Sequence, residues 1–401
     1  MRTFRQYAAI ALVYVGTLAF ISCSQGRLVS QSVADDVFFT DTMAYPTAPG
    51  LVNYNYLYPS TDPFGRRVML SATISMSPEV SERKETPGII LYNHYTVYRS
   101  QDCPSRGMLD LQTFLGGSRF IIVSADYYGF GITDREEQAY CIASTNAQAS
   151  VDALIAARKL LAKAGYRCGD VLLNMGFSQG GQTSIGVLKL VTEKYPDIHF
   201  TRTMAAAGSY DIPETYRQFL LSGEAEMPST VVSVLMAFNK YKGLKLPYDR
   251  IFKEPLASHI DEWVLSKRYN RPELDSLIDN RASVANDKPI AVSSPVNYVQ
   301  PAFFDLQSPI SKRFLDVLDS ENLCKGWTPR ADEDILLFHT AYDKTVPPAN
   351  TANLYEFLKA KGVTNVELMN QDFGVPHSKC GPIFAGIVQQ WMCTKLGVPK
   401  W

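Results

Sequence analysis

The chain has almost no net charge and no long basic run. Its 401 residues carry 39 Lys+Arg against 40 Asp+Glu, a formal charge of −1. Nucleic-acid binding rests on clustered cations, so the charge pattern argues against a nucleic-acid partner. Internal repeats and low-complexity tracts are absent, which argues against solenoids and biased tails. Charged residues make up only 20% and hydrophobic ones 46%, a balance that excludes intrinsic disorder. Histidine is scarce: five positions supply every candidate imidazole. No metal site is predicted. Cysteine is the odd number, at seven; an unpaired cysteine in an exported protein needs an explanation.

The N-terminus offers one. Met1–Arg5 carries two arginines and no acid, Tyr7–Ile21 is almost wholly apolar, and Cys23 follows Ser22. The apolar stretch is short for a membrane span and reads as a secretory signal. Its end resembles the lipobox of bacterial lipoproteins, in which the cysteine becomes the first mature residue and carries lipid. The resemblance implies a signal over residues 1–22, a lipidated Cys23 with a tether over 23–50, and an exported protein held to the cell envelope. Ser24 after the cysteine points to the outer membrane. Loss of Arg2 and Arg5 leaves 37 basic against 40 acidic residues, and six cysteines, an even number in an oxidising compartment.

Past the tether, short apolar runs alternate with helical patterns. Val68–Ile74 alternates as a half-buried strand does. Gly88–Tyr92, Phe120–Ser124, Val171–Met175, Thr203–Ala207 and Ile335–Phe338 are continuous apolar runs between turn residues. Such runs fit strands of a mostly parallel sheet buried on both faces. Helical patterns lie at Ala147–Ala164, Gln182–Lys194 and Asn350–Lys361. The alternation predicts an α/β fold with helices on both faces of the sheet. Residues 211–330 break the rhythm. Met227, Val231, Leu235 and Phe238 recur at helical spacing, and frequent prolines cut the segment into short pieces. It reads as a helical insertion capping the sheet. The two core parts are then 51–210 and 331–401.

One motif carries chemistry. Gly176-Phe177-Ser178-Gln179-Gly180 has the G-x-S-x-G pattern, after an apolar run and before a helical one. That is the context of a nucleophile elbow, where Gly176 and Gly180 make room for a tight strand-to-helix turn. Serine needs a base, and the base needs an acid to orient it. The expected chain order is Ser, acid, His. His94, His199 and His339 flank strands, and His259 lies in the insertion. His377 follows the last strand-like run, Val366–Met369, and is the predicted base. Asp343 sits on the loop after Ile335–Phe338 and is the predicted acid. Asp332 and Asp334 precede that strand, and Asp372 follows the last one. A developing oxyanion needs two donors. The Gln179 amide is the first. The second is expected in the loop Asn93-His94-Tyr95-Thr96, which resembles the His-Gly-x oxyanion loops of related enzymes with Tyr95 in the glycine place; that resemblance implies the Thr96 amide as the donor.

With these residues the chain resembles the α/β-hydrolases, and among them the secretory lipase family. Tyr58-Pro59-Ser60-Thr61-Asp62 resembles that family's first strand and S-T-D turn. Ser124 to Gly131, with Asp126-Tyr127-Tyr128-Gly129-Phe130-Gly131, resembles its D-Y-x-G-x-G loop. Ala205 to Asp211 and Asn322 to Pro347 resemble the cap-leading strand and the acid-bearing segment. Residues 50–395 are covered, the cap matching least. The resemblance implies hydrolysis of carboxylic esters through a serine acyl-enzyme, without a cofactor, on a small-molecule or lipid ester. A serine peptidase, a polysaccharide-ester hydrolase and a non-catalytic ligand-binding lipoprotein remain as alternatives, because one fold hosts many chemistries. Cys103 follows the oxyanion loop and Cys141 the Asp126–Gly131 loop, which predicts a Cys103–Cys141 disulfide.

Overall fold

The structure, a computed structural model, describes residues 38–41, 51–107, 110–279, 293–371 and 374–401. Cys23 and the signal-like segment lie outside the described residues, as does Asp372.

Nine strands form one sheet. They are β1 (Phe38–Asp41), β2 (Val52–Thr61), β3 (Arg67–Met76), β4 (Glu85–Asn93), β5 (Ile121–Ala125), β6 (Arg167–Phe177), β7 (Arg202–Ala206), β8 (Asp334–Thr340) and β9 (Asn365–Gln371). Their order is β1-β2-β3-β5-β4-β6-β7-β8-β9. β1, β2, β3 and β5 pair antiparallel; from β5 through β4 to β9 every pairing is parallel. The chain joins the sheet before residue 51, through β1 on the edge of β2.

The sequence pattern explains the layering. Ile89 and Leu91 of β4 pack into one apolar cluster, Ile90 and Tyr92 into another. β8 divides likewise, with Ile335 and Leu337 on one side and Leu336 and Phe338 on the other. A strand buried on both faces has no polar side to show, hence the unbroken apolar runs. The helices are α1 (Pro78–Arg83), α2 (Asp110–Gly116), α3 (Ala143–Lys163), α4 (Gln179–Lys194), α5 (Ile212–Ser222), α6 (Pro228–Tyr241), α7 (Leu256–Ile260), α8 (Arg271–Ile278), α9 (Pro309–Asp319), α10 (Ala349–Ala360) and α11 (His377–Lys395). Buried residues of α3, α4 and α10 pack into the first cluster; those of α2 and α11 pack into the second.

Between β7 and β8 the described residues form α5–α9, short helical turns and two isolated bridges, Ala225 with Ser293 and Phe252 with Val299. Among the described residues, these helices and turns stand where the sequence shows helical spacing and frequent prolines. Lys267, in the loop before α8, is buried and gives its ammonium to the carbonyls of Gly129, Asp134 and Glu136, tying the segment to the loop after β5.

The predicted Cys103–Cys141 disulfide does not form; both are free, buried thiols. Cys103 packs in the cluster of α2 and α11, and its Sγ donates to the Ser100 carbonyl at 3.2 Å. Cys141 packs in the other cluster, 4.0 Å from the Ser209 hydroxyl. Adjacency of two loops on the same sheet edge does not bring their Cβ atoms to disulfide distance. Burial pushes the Cys141 thiol up to about 12.

Candidate active site

The site begins at the turn from β6 into α4. Ser178 stands between them at φ 59°, ψ −122°. A non-glycine residue with positive φ costs roughly 1–3 kcal/mol unless its surroundings enforce it. Here they do. The Ser178 amide donates to the Ala206 carbonyl on β7 at 2.8 Å, and its carbonyl accepts from the Gln182 amide at 3.1 Å. A Cβ on Gly180 would lie 2.0 Å from the Asn93 carbonyl oxygen. One on Gly176 would lie 2.3 Å from the Gly180 oxygen. Both glycines are therefore required for β4, β6 and α4 to meet. Beneath the turn, Asn93 Nδ2 donates to Asn174 Oδ1 at 2.8 Å and to Ser184 Oγ at 2.9 Å, which ties the same three elements together.

His377 opens α11, and its Nε2 lies 2.8 Å from Ser178 Oγ. Its Nδ1 lies 2.5 Å from Asp343 Oδ2. An ionised carboxylate only accepts, so Nδ1 carries the proton and Nε2 turns its lone pair to the serine hydroxyl. Phe177 packs against the imidazole, with ring centroids 4.9 Å apart. The three residues singled out in the sequence are thus one hydrogen-bonded chain. Asp334, at the opposite end of β8, pairs instead with Arg202.

Asp343 is held by four donors. Oδ1 accepts from the Thr345 and Val346 amides at 2.9 and 2.8 Å. Oδ2 accepts from His377 and also from His339 Nε2, 3.1 Å away. Burial raises the carboxyl, but the His377 charge and the hydrogen bonds from both imidazoles outweigh it. The carboxyl is held below the usual carboxylate range. His339 escaped the sequence reading, which placed it only at a strand end. Its one signal is the His339-x-x-x-Asp343 spacing across the turn that ends β8.

The Gln179 amide lies at the first position of α4, where no carbonyl of the preceding turn is available to it. The loop bearing Thr96 packs beside it: the His94 carbonyl would be 2.9 Å from a Cβ on Gly180. Thr96, Ser178, Gln179 and His377 all face a cavity of about 860 Å³. Tyr216 and Phe219 of α5, Val231 of α6, Leu111 and Phe114 of α2 and Ala385 of α11 line it. Arg99 and Asp102, paired at 2.8 Å, also line it. No group of three His, Cys, Asp or Glu among the described residues could hold a metal ion.

No protein-family model matches the chain, and no curated protein does. Solved structures do. A Legionella pneumophila protein assigned as a hydrolase superposes with a TM-score of 0.71 at 22% identity, over 88% of this chain and 93% of that one. The rice cell wall degrading esterase LipA from Xanthomonas oryzae, in a ligand-bound form, gives 0.70 at 20%, over 87% and 91%. Candida antarctica lipase A in its closed state gives 0.61 at 14%, over 92% and 83%. At such identities the likeness is one of fold, and together with the strand order it shows that the chain has the α/β-hydrolase fold.

Proposed function

We propose that the chain is a serine carboxylic-ester hydrolase of the secretory lipase kind, with Ser178, His377 and Asp343 as its triad. The observation that carries the reading is the 2.8 Å approach of His377 Nε2 to Ser178 Oγ at the wall of an open cavity. Ser178 Oγ attacks the ester carbonyl carbon as its proton passes to His377 Nε2. The tetrahedral oxyanion is held by the Gln179 and Thr96 amides. Collapse breaks the bond to the alcohol oxygen, which takes the proton from His377. Water then repeats the sequence on the acyl-enzyme and frees the acid. Asp343 keeps the Nδ1 proton in place and stabilises the transient imidazolium without taking the proton.

The largely apolar walls favour an uncharged acyl ester, and the Arg99–Asp102 pair offers contacts to a polar alcohol part. Hydrolysis of p-nitrophenyl esters of graded chain length tests the reading. Ser178→Ala should lower kcat by about 10⁵–10⁶-fold. Absence of Ser178-dependent turnover at every chain length would overturn it. Attachment to the envelope through lipid on Cys23 belongs to the same proposal. Cys23→Ala should move the protein from the membrane fraction to the soluble one, and retention in the membrane would reject the anchor.

A further inference from the structure

Asp343 Oδ2 accepts from two imidazoles, and the triad uses only one. The second, His339, is fully buried on β8. Its Nε2 faces two oxygens that cannot donate, Asp343 Oδ2 at 3.1 Å and the Val346 carbonyl at 2.9 Å. Nε2 therefore carries a proton and is shared between the two. Its Nδ1 lies 2.6 Å from Thr351 Oγ1 on α10. The hydroxyl donates to that nitrogen and so fixes the tautomer. A relay of bonds thus runs from α10 through the end of β8 into the acid loop.

We propose that His339 is a positioning residue of the hydrolytic site: its Nε2–H fixes the Asp343 carboxylate and limits how strongly Asp343 holds the proton on His377. This rests on the triad reading above. The physical reasoning concerns one oxygen and two donors. A hydrogen bond from His339 draws negative charge from Oδ2, leaving less of it for His377. The imidazolium formed on attack is then stabilised enough to form, yet gives its proton up to the leaving alcohol. The other titratable groups facing this cluster are Glu226, which bonds Thr345 beside the acid, Lys344, and Cys380 of α11, which bonds Thr340. None of them donates to Asp343 Oδ2 among the hydrogen bonds of the described residues.

Removing the donor should have an effect that mere loosening would not. In His339→Leu the acidic limb of the kcat/KM profile should move up by about half to one pH unit, since the freed charge on Oδ2 favours protonated His377. The same variant should lose about tenfold in kcat with KM unchanged. His339→Gln, which can return an N–H to Oδ2, should recover most of both. Thr351→Val keeps the shape of its site and touches neither Ser178 nor His377. By releasing the tautomer it should shift the limb in the same direction, by less. It decides the question should the His339 variants fail to fold. An acidic limb that stays in place in folded His339→Leu or in Thr351→Val overturns the proposal. So does a loss confined to KM. NMR titration of the His377 imidazole in a Ser178→Ala background gives the same readout without turnover. Failure of the hydrolase reading would therefore leave this test standing.

Discussion

Ser178 and Asp343 are both set at the ends of parallel strands, and they are fixed by different means. The serine is fixed by backbone. Its turn holds a positive φ because β4, β6 and α4 approach so closely that two flanking positions admit no Cβ. The acid is fixed by polar bonds. Two amides and two imidazoles fill the lone pairs of one buried carboxylate, and its loop imposes no comparable steric demand. Steric fixing is rigid and local. Polar fixing is distributed over β8, α10, α11 and the loop between them, and each donor can tune the charge it touches. In the proposed triad the serine needs one position held against strain, whereas the acid needs a charge held at one strength.

The contrast predicts two kinds of damage. Asp343→Asn should leave the fold in place and lower kcat by about 10⁴-fold, because an amide facing His377 favours the wrong tautomer. Steady-state rates beside unchanged thermal unfolding would bear this out. A concomitant collapse in stability would show that the acid loop is structural after all. Gly180→Ala should do the reverse in proportion. Its methyl group meets the Asn93 carbonyl, a backbone atom that cannot swing aside. Stability should fall by about 1–3 kcal/mol, and activity by about 10²-fold as Ser178 is displaced. Gly386→Ala on α11 is the control for stability alone, since nothing lies within 4 Å of its Cβ position although the residue lines the cavity. An equally harmless Gly180→Ala would remove the steric half of the comparison.

The same contrast explains what could be read in the sequence. Gly176-Phe177-Ser178-Gln179-Gly180 was legible because steric fixing demands a residue type at each flank. The buried strands were legible too. β4, β6 and β8 were anticipated as apolar runs, and helices predicted at Gln182–Lys194 and Asn350–Lys361 are found at Gln179–Lys194 and Ala349–Ala360. Asp343 and His377, expected from chain order and strand ends, are found hydrogen-bonded in one chain with Ser178. His339 was not, because a side chain that bonds another through space needs no neighbour in sequence. The strand Phe38–Asp41 was hidden within a segment read as a tether, its four residues too few to show a period. Cys103 and Cys141 failed for the same reason as His339. Sequence places loops on an edge, but it does not say which cluster each side chain enters.

Glu226 gives the finest test of polar fixing, since it lies in the helical segment rather than in the sheet core. Its Oε2 accepts from Thr345 Oγ1 at 2.9 Å, and the Thr345 amide is itself one of the donors to Asp343. Burial is the main reason its carboxyl sits above the ordinary range; the Asp343 charge raises it further, and His377 pulls it down. The carboxylate thus feels both Asp343 and His377. An anion near His377 favours the imidazolium, so Glu226→Gln should let His377 lose its proton more readily. The acidic limb of kcat/KM should then move down, by ~0.3 pH unit or less for a half-buried charge. The shift should shrink further in high salt. This is opposite in sign to the shift expected of His339→Leu, although both variants remove a group near the same carboxylate. A hydrogen-bond donor on Asp343 weakens its hold on the His377 proton, while a second anion strengthens it. An upward shift in Glu226→Gln would mean that this carboxyl acts on the loop's shape rather than on its charge. Polar fixing would then extend no further than the four donors of Asp343.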